Sequence, residues 1–150
     1  MRVYEWRTIV GFADTNVVGN VYFSHIVAWQ GRCREMFLRD HAPEVAAELQ
    51  SGLALSTTRC ACEFYGEFVA FDAVVVRMHL AHLVQNRMGL GFDYLVEAPE
   101  GLRLVARGSQ EIACMRRIGS RLDACAIPLA LRSALEPYLR PNSSTPAGGA

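Results

Sequence analysis

Hydrophobic positions along this chain follow two different periods. Val3 to Phe12 reads as a first strand, ending in the turn-prone Ala13-Asp14-Thr15-Asn16, and Gly19-Asn20 then supplies a flexible corner. Beyond it Tyr22, Ile26, Trp29, Cys33, Met36 and Phe37 recur at helical spacing and predict a helix of about four turns. Gln30, Arg32, Arg34, Glu35 and Arg39 form its polar face. Gly31 inside this helix costs stability relative to alanine, so close approach of another backbone is expected there. Asp40-His41-Ala42-Pro43 ends the helix and starts a short second one through Gln50.

From Leu53 the period changes to two. Ala54, Ser56, Thr58, Cys60, Cys62 and Phe64 are expected on one face, with Arg59 and Glu63 on the other. Val74, Val76, Met78 and Leu80 repeat the alternation, as do Met88, Leu90, Phe92 and Tyr94; Leu102, Leu104, Ala106, Ile112 and Cys114 continue it in a last long strand. Turn signals at Tyr65-Gly66-Glu67, Val84-Gln85-Asn86 and Ala98-Pro99-Glu100-Gly101 separate these runs. The order is therefore strand, long helix, then about four antiparallel strands, an α+β chain whose helix covers the apolar face of the sheet. Pro128 to Leu139 predicts a closing helix with Leu129, Leu131, Leu135 and Tyr138 as apolar contacts. This places one domain over residues 1–140 and a flexible tail over 141–150, where Asn142-Ser143-Ser144 matches a glycosylation sequon by chance.

Composition narrows the function classes. The 150 residues are 51% hydrophobic and 20% charged, enough for a sizeable core. Fifteen basic residues balance fifteen acidic ones, which argues against a nucleic-acid partner. Without a long apolar run no membrane span is expected, and the charged start Met1-Arg2-Val3-Tyr4-Glu5 does not read as a signal peptide. The five cysteines are too sparse for a disulfide scaffold, and Cys60-Ala61-Cys62 lacks a second ligand pair for zinc. Free thiols in the cytoplasm are the expectation, with no metal and no cofactor.

Few residues carry recognisable chemistry. His79 and His82, three apart in a predicted strand, are expected on opposite faces. Cys33 beside Arg32 and Arg34 has the charge environment of a nucleophile, but its place on the apolar stripe favours a packed thiol. The polar loop that feeds the long helix, Asp14, Thr15, Asn16 and Asn20, admits two readings. These residue types cap helix starts. They also border free N–H groups and the positive helix end, a ready oxyanion site for acyl transfer.

A resemblance decides between those readings. Asp14-Thr15-Asn16-Val17-Val18-Gly19-Asn20-Val21-Tyr22-Phe23, followed by Trp29-Gln30-Gly31, Cys33, Arg34 and Glu35, is similar to hotdog-fold thioesterases of the 4-hydroxybenzoyl-CoA thioesterase superfamily, and within them to those of enediyne polyketide pathways. It extends from about Val3 to Ile118 and implies a long central helix wrapped by a five-stranded antiparallel sheet. In the 4-hydroxybenzoyl-CoA branch the position of Asn16 holds an aspartate acting as base or nucleophile; asparagine takes up no proton at neutral pH, and the enediyne type shares it.

The resemblance implies a site in which Asn16, Arg34 and Tyr22 are catalytic. Gly19, Asn20 and Val21 position the substrate, with N–H groups near Val21 and Tyr22 holding the oxyanion, and Trp29, Phe64 and Ile26 line an acyl tunnel. The enediyne relatives often carry tyrosine where Ile26 stands. Arg34 lies about twelve residues beyond the helix start, roughly 18 Å along the axis. It therefore serves either a reacting carbon further along the helix or the site of a neighbouring subunit, unless it is a helix-face residue paired with an acid. The implied reaction is hydrolysis of a polyene or β-ketoacyl thioester on the phosphopantetheinylated carrier of a polyketide synthase by a homo-oligomer, dimer or tetramer, with decarboxylation able to follow. A patch including Arg87, Arg116 or Arg117 would meet the acidic carrier. The alternatives are an acyl-CoA thioesterase, a non-catalytic acyl-binding module, or, less favoured, a dehydratase using His25.

Overall fold

The computed structural model describes residues 2–140; the expected tail and its sequon lie outside the described residues. Strand β1 (Tyr4–Ile9) leads through a loop to helix α1 (Phe23–His41) and the short α2 (Pro43–Glu48). Strands β2 (Leu53–Phe64), β3 (Ala73–Val84), β4 (Arg87–Ala98), β5 (Gly101–Ile118) and β6 (Arg121–Ala124) follow, then α3 (Leu129–Leu135). The sheet is antiparallel in the order β1-β3-β4-β5-β2, with β6 paired to β5. A turn at Gly119, where φ is +61°, adds β6 to the five strands expected. No helix among the described residues is long and apolar enough to cross a membrane.

Helix α1 buries Ile26, Trp29, Cys33 and Phe37 as its spacing predicts, each full burial contributing on the order of 1.5–3 kcal/mol for a large apolar side chain. Two residues depart from the pattern. Tyr22 lies outside the stripe as the residue preceding the helix and is 48% exposed. Gln30, expected on the polar face, is completely buried. Its carboxamide occupies the space that Gly108 of β5 leaves open, where a Cβ would fall 2.0 Å from Nε2. There Nε2 donates to the Ala61 carbonyl at 3.0 Å, and Oε1 accepts from the Cys60 thiol at 3.2 Å. A Cβ on Gly31 would meet no atom of the described residues within 4 Å, so within this chain no other backbone makes the expected close approach at that position.

Three bulges reset the strand faces. In β2, Thr58 is an extra residue between the Thr57–Ile112 and Arg59–Glu111 pairs. Leu53, Leu55 and Thr57 therefore share the helix-facing side with Cys60, Cys62 and Phe64, and Ala54 and Ser56 leave it. In β5, Val105 is inserted between the partners of Tyr94 and Leu95, which moves Leu102 and Leu104 to the face away from α1, opposite Glu97 and Leu95. In β3, Ala81 is the extra residue, and it turns His82 to the same face as His79. Both imidazoles lie over glycines of β4, His79 over Gly91 and His82 over Gly89. At the end of the chain Leu131, Leu135 and Tyr138 are buried, whereas Leu129, first in α3, is 76% exposed.

Gly31 and Gly108 separate by substitution. Gly31→Ala is expected to stabilise by about 0.5–1 kcal/mol through helix propensity alone. Gly108→Ala is expected to destabilise by about 3 kcal/mol, because the enclosed Gln30 amide must move and lose its partners. Urea unfolding of both variants checks the opposite signs.

Candidate active site

The loop between β1 and α1 is organised by its own side chains. Asp14 Oδ2 accepts from the Gly11 N–H at 2.9 Å, and Thr15 Oγ1 donates to the Phe12 carbonyl at 2.8 Å. Asn16 Oδ1 accepts from the Val18 N–H at 3.0 Å, a local turn that leaves both N–H bonds of its amide free of that contact. Gly19 takes φ +93°, the left-handed conformation needed to turn the chain back, so that the Asn16 N–H reaches the Asn20 carbonyl at 2.9 Å. None of these side chains caps α1, which begins without a side-chain cap.

The backbone donors differ from expectation. The Val21 N–H donates to the Phe68 carbonyl at 2.8 Å and the Tyr22 N–H to the Asp14 carbonyl at 3.1 Å, so neither is open to an oxyanion. The unengaged donors at this helix start, among the described residues, are the N–H groups of Phe23 and Ser24, at the positive end of the helix.

Asn16, Asn20, Val21, Tyr22, Phe23 and Ile26 line one open cleft of about 460 Å³ together with Phe64, Gly66 and Glu67. The structure thus brings together Asn16, Asn20, Val21, Tyr22, Ile26 and Phe64; Gly19 shapes the loop beside them. Ile26 is held there by packing and by Tyr94, whose hydroxyl donates to the Ile26 carbonyl at 2.7 Å. Trp29 is not in this cleft. It packs edge-on against Phe68, 5.7 Å between centroids, and borders a groove on the other side of α1 with Trp6, Asp14, Gly31, Arg32 and Glu35.

One residue of the cleft escaped the sequence pattern, and so did one contact near the loop. Glu67, read only as part of a turn, is the carboxylate that lines it, and Oε1 accepts from Asn20 Nδ2 at 3.1 Å. His25 sits 3.2 Å from Asp14, a carboxylate beside the histidine that linear spacing does not show.

Arg34 stands apart. It follows Gln30 by one turn and lies between α1 and the sheet, where Nη1 donates to Gln110 Oε1 at 3.1 Å and Thr57 Oγ1 at 3.2 Å. Pairing with an acid, one expected role, is not what the structure has: both partners are neutral, and burial lowers its pKa, with the field of Glu35 opposing. The guanidinium nevertheless stays charged at any working pH. Arg116 and Arg117 lie beside Leu53, at the end of β2 remote from Phe64, about 11 residues or roughly 36 Å away along the strand. Arg103, by contrast, lies near Gly66 at the cleft end.

Two of the thiols are inert. Burial pushes Cys33 up to about 12 and Cys62 up to about 11, so each is a neutral, packed group at physiological pH. Among the described residues no cluster of histidine, cysteine and acidic side chains is arranged to hold a metal.

The family model of the thioesterase-like superfamily matches residues 10–135. The 1,4-dihydroxy-2-naphthoyl-CoA hydrolase of Synechococcus sp. (strain CC9902) is 27% identical in an alignment 143 positions long, gaps included, that covers 85% of this chain and 88% of that one. Among solved structures, the dynemicin thioesterase, crystallised to reveal induced-fit and allosteric effects of polyene binding, superposes with a TM-score of 0.89 at 50% identity, covering 93% of this chain and 99% of that one. An aspartate-to-asparagine mutant of 4-hydroxybenzoyl-CoA thioesterase, complexed with 4-hydroxybenzoyl-CoA, superposes with a TM-score of 0.80 at 16% identity over 90% and 99% of the two chains, a likeness of fold.

Iodoacetamide at pH 8 distinguishes the thiols. Cys60, exposed on β2 but with its thiol hydrogen-bonded to Gln30 and its pKa raised by burial, is expected to alkylate slowly in the native protein, and Cys33 only after unfolding. Peptide mass spectrometry checks this, and comparable native labelling of Cys33 contradicts the packed assignment.

Proposed function

We propose that this chain, which belongs to the thioesterase-like superfamily and is a thioester hydrolase, releases a polyene or β-ketoacyl chain from the acyl carrier domain of an iterative enediyne polyketide synthase. The observation that carries this reading is half-identity to the dynemicin thioesterase along nearly the whole of both chains. Asn16 in the loop motif agrees with it, since this residue sets the enediyne type apart from the aspartate branch.

The chemistry follows from what the cleft offers. Water adds to the thioester carbonyl carbon, the carbonyl oxygen takes the negative charge, and the C–S bond then breaks with the proton passing to the departing thiol. Asn16, its Oδ1 committed to Val18, acts through its free N–H bonds as a donor to the carbonyl oxygen. The Phe23 and Ser24 N–H groups at the helix start replace those of Val21 and Tyr22 as oxyanion donors. One such donor is worth about 10²–10³ in rate, so positioning and electrostatics sustain a slow reaction with no base at position 16. Tyr22 and Phe64 flank the thioester, and Ile26 begins the apolar path of the acyl chain. A β-keto acid product is free to lose CO₂ afterwards.

Arg34 is too far along α1 to serve its own helix start, and we assign it to the site of a second copy. Strand β2 ends the sheet order with its outer edge open among the described residues, a twelve-residue template for antiparallel pairing in a homo-oligomer. The acidic carrier docks near Arg103 beside Gly66, rather than at Arg116 and Arg117. Hydrolysis of acyl-CoA is the second reading, favoured by the Synechococcus relative.

Turnover of an octanoyl or polyene thioester on a carrier protein and on CoA tests both. Faster release from the carrier is expected, and a CoA preference favours the second reading. Asn16→Ala and Arg34→Ala are each expected to lose at least about tenfold in kcat, of the order of one lost charge-directed hydrogen bond. If both stay within about twofold of wild type, the site is misplaced. Asn16→Asp is expected to keep or raise the rate, while a loss above about tenfold in Glu67→Gln moves the base to Glu67.

A further inference from the structure

Resting on the role proposed for Arg34, we infer that Gln110 is a positioning residue for its guanidinium, and that a neutral amide stands there so that the positive charge remains available to the thioester oxyanion or carboxylate product. Gln30 and Gln110 are the two buried polar side chains among the described residues, 0% and 5% exposed, and both flank Arg34. Gln110 projects from β5 on the helix-facing side, two residues after Gly108 and opposite Cys60 of β2 and Leu90 of β4. Its Oε1 and the Thr57 hydroxyl take the two N–H bonds of Arg34 Nη1.

An arginine carries five N–H donors. Two are held by these neutral acceptors, and Nε and Nη2 have no partner in the chain among the described residues. The arrangement orients a half-buried cation and leaves its charge uncancelled. Apolar surroundings on one side, Phe37, Leu38, Leu55 and Met88, keep water from screening it there. A carboxylate at position 110 would form a two-pronged ion pair with the same guanidinium and cancel the field it projects. Glutamine gives the same reach and one acceptor oxygen with no charge.

Gln110→Glu and Gln110→Met separate positioning with preserved charge from mere packing, because the two readings order them oppositely. Glutamate keeps the acceptor and methionine removes it, so a purely structural Gln110 makes the methionine variant the poorer enzyme. The charge argument makes glutamate the poorer one. On the octanoyl-carrier thioester at pH 8, Gln110→Glu is expected to lose about 100-fold in kcat with KM within about threefold, and Gln110→Met about fivefold, both with native circular dichroism. Equal losses, or a smaller loss with glutamate, overturn the inference. Should Gln110→Glu fail to fold, Gln110→Met decides: kcat within about twofold of wild type, or a rise in KM with kcat unchanged, overturns it. Arg34→Ala is run beside them. Full activity there overturns the role of Arg34 itself, whereas loss of activity there with a harmless Gln110→Glu overturns only the assignment of Gln110.

Discussion

The seat of the Gln30 carboxamide over Gly108 fixes how α1 lies on the sheet. A helix covering an apolar sheet can roll about its axis at small cost, since hydrophobic contact has no direction. A buried amide cannot roll, because displacing it from the Ala61 carbonyl and the Cys60 thiol leaves polar atoms unpaired in the interior. Ile26, Gln30 and Arg34 are spaced by fours and lie on one line of the helix. Once Gln30 is seated, Ile26 comes down against Tyr94 beside the cleft and Arg34 against Gln110 and Thr57. One contact thus sets the position of both Ile26 at the cleft and Arg34 two turns further along the helix.

The bulges at Thr58, Ala81 and Val105 do comparable work in the sheet. Each inserts one residue and exchanges the faces of everything beyond it. The Thr58 bulge lets Thr57 and Cys60 both face α1, one under Arg34 and one under Gln30. The Ala81 bulge gathers His79, His82 and Glu111 on the opposite face, where His82 lies 3.1 Å from Glu111. Glycines 89 and 91 then give the two imidazoles room to lie flat.

The polar side chains that line the cleft come from places where regular structure is interrupted. The Asn16 turn, the left-handed Gly19 and the uncapped start of α1 lie in one loop, and the single carboxylate lining the cleft, Glu67, comes from the turn after β2. This loop presents oriented backbone and side-chain dipoles to the cleft, and Glu67 is the one carboxylate among the described residues that lines it.

Element order, the α+β class, the stripe of α1 and the loop motif were legible in the sequence, because local period and turn chemistry act over a few residues. The family resemblance came from the same loop and from the Cys33-Arg34-Glu35 segment. The sequence also placed Asn16, Asn20, Val21, Tyr22, Ile26 and Phe64 as candidates, and the fold gathers those six at one cleft. Only tertiary structure decided the rest. Burial of Gln30 depends on a missing side chain at Gly108, 78 residues away by number, and no local pattern carries that information. The pairing of Arg34 with neutral partners, the separation of Trp29 from the cleft, and the occupied N–H groups of Val21 and Tyr22 likewise depend on strand register and on bulges. Register is set by contacts summed over the whole sheet, whereas periodicity is read one strand at a time.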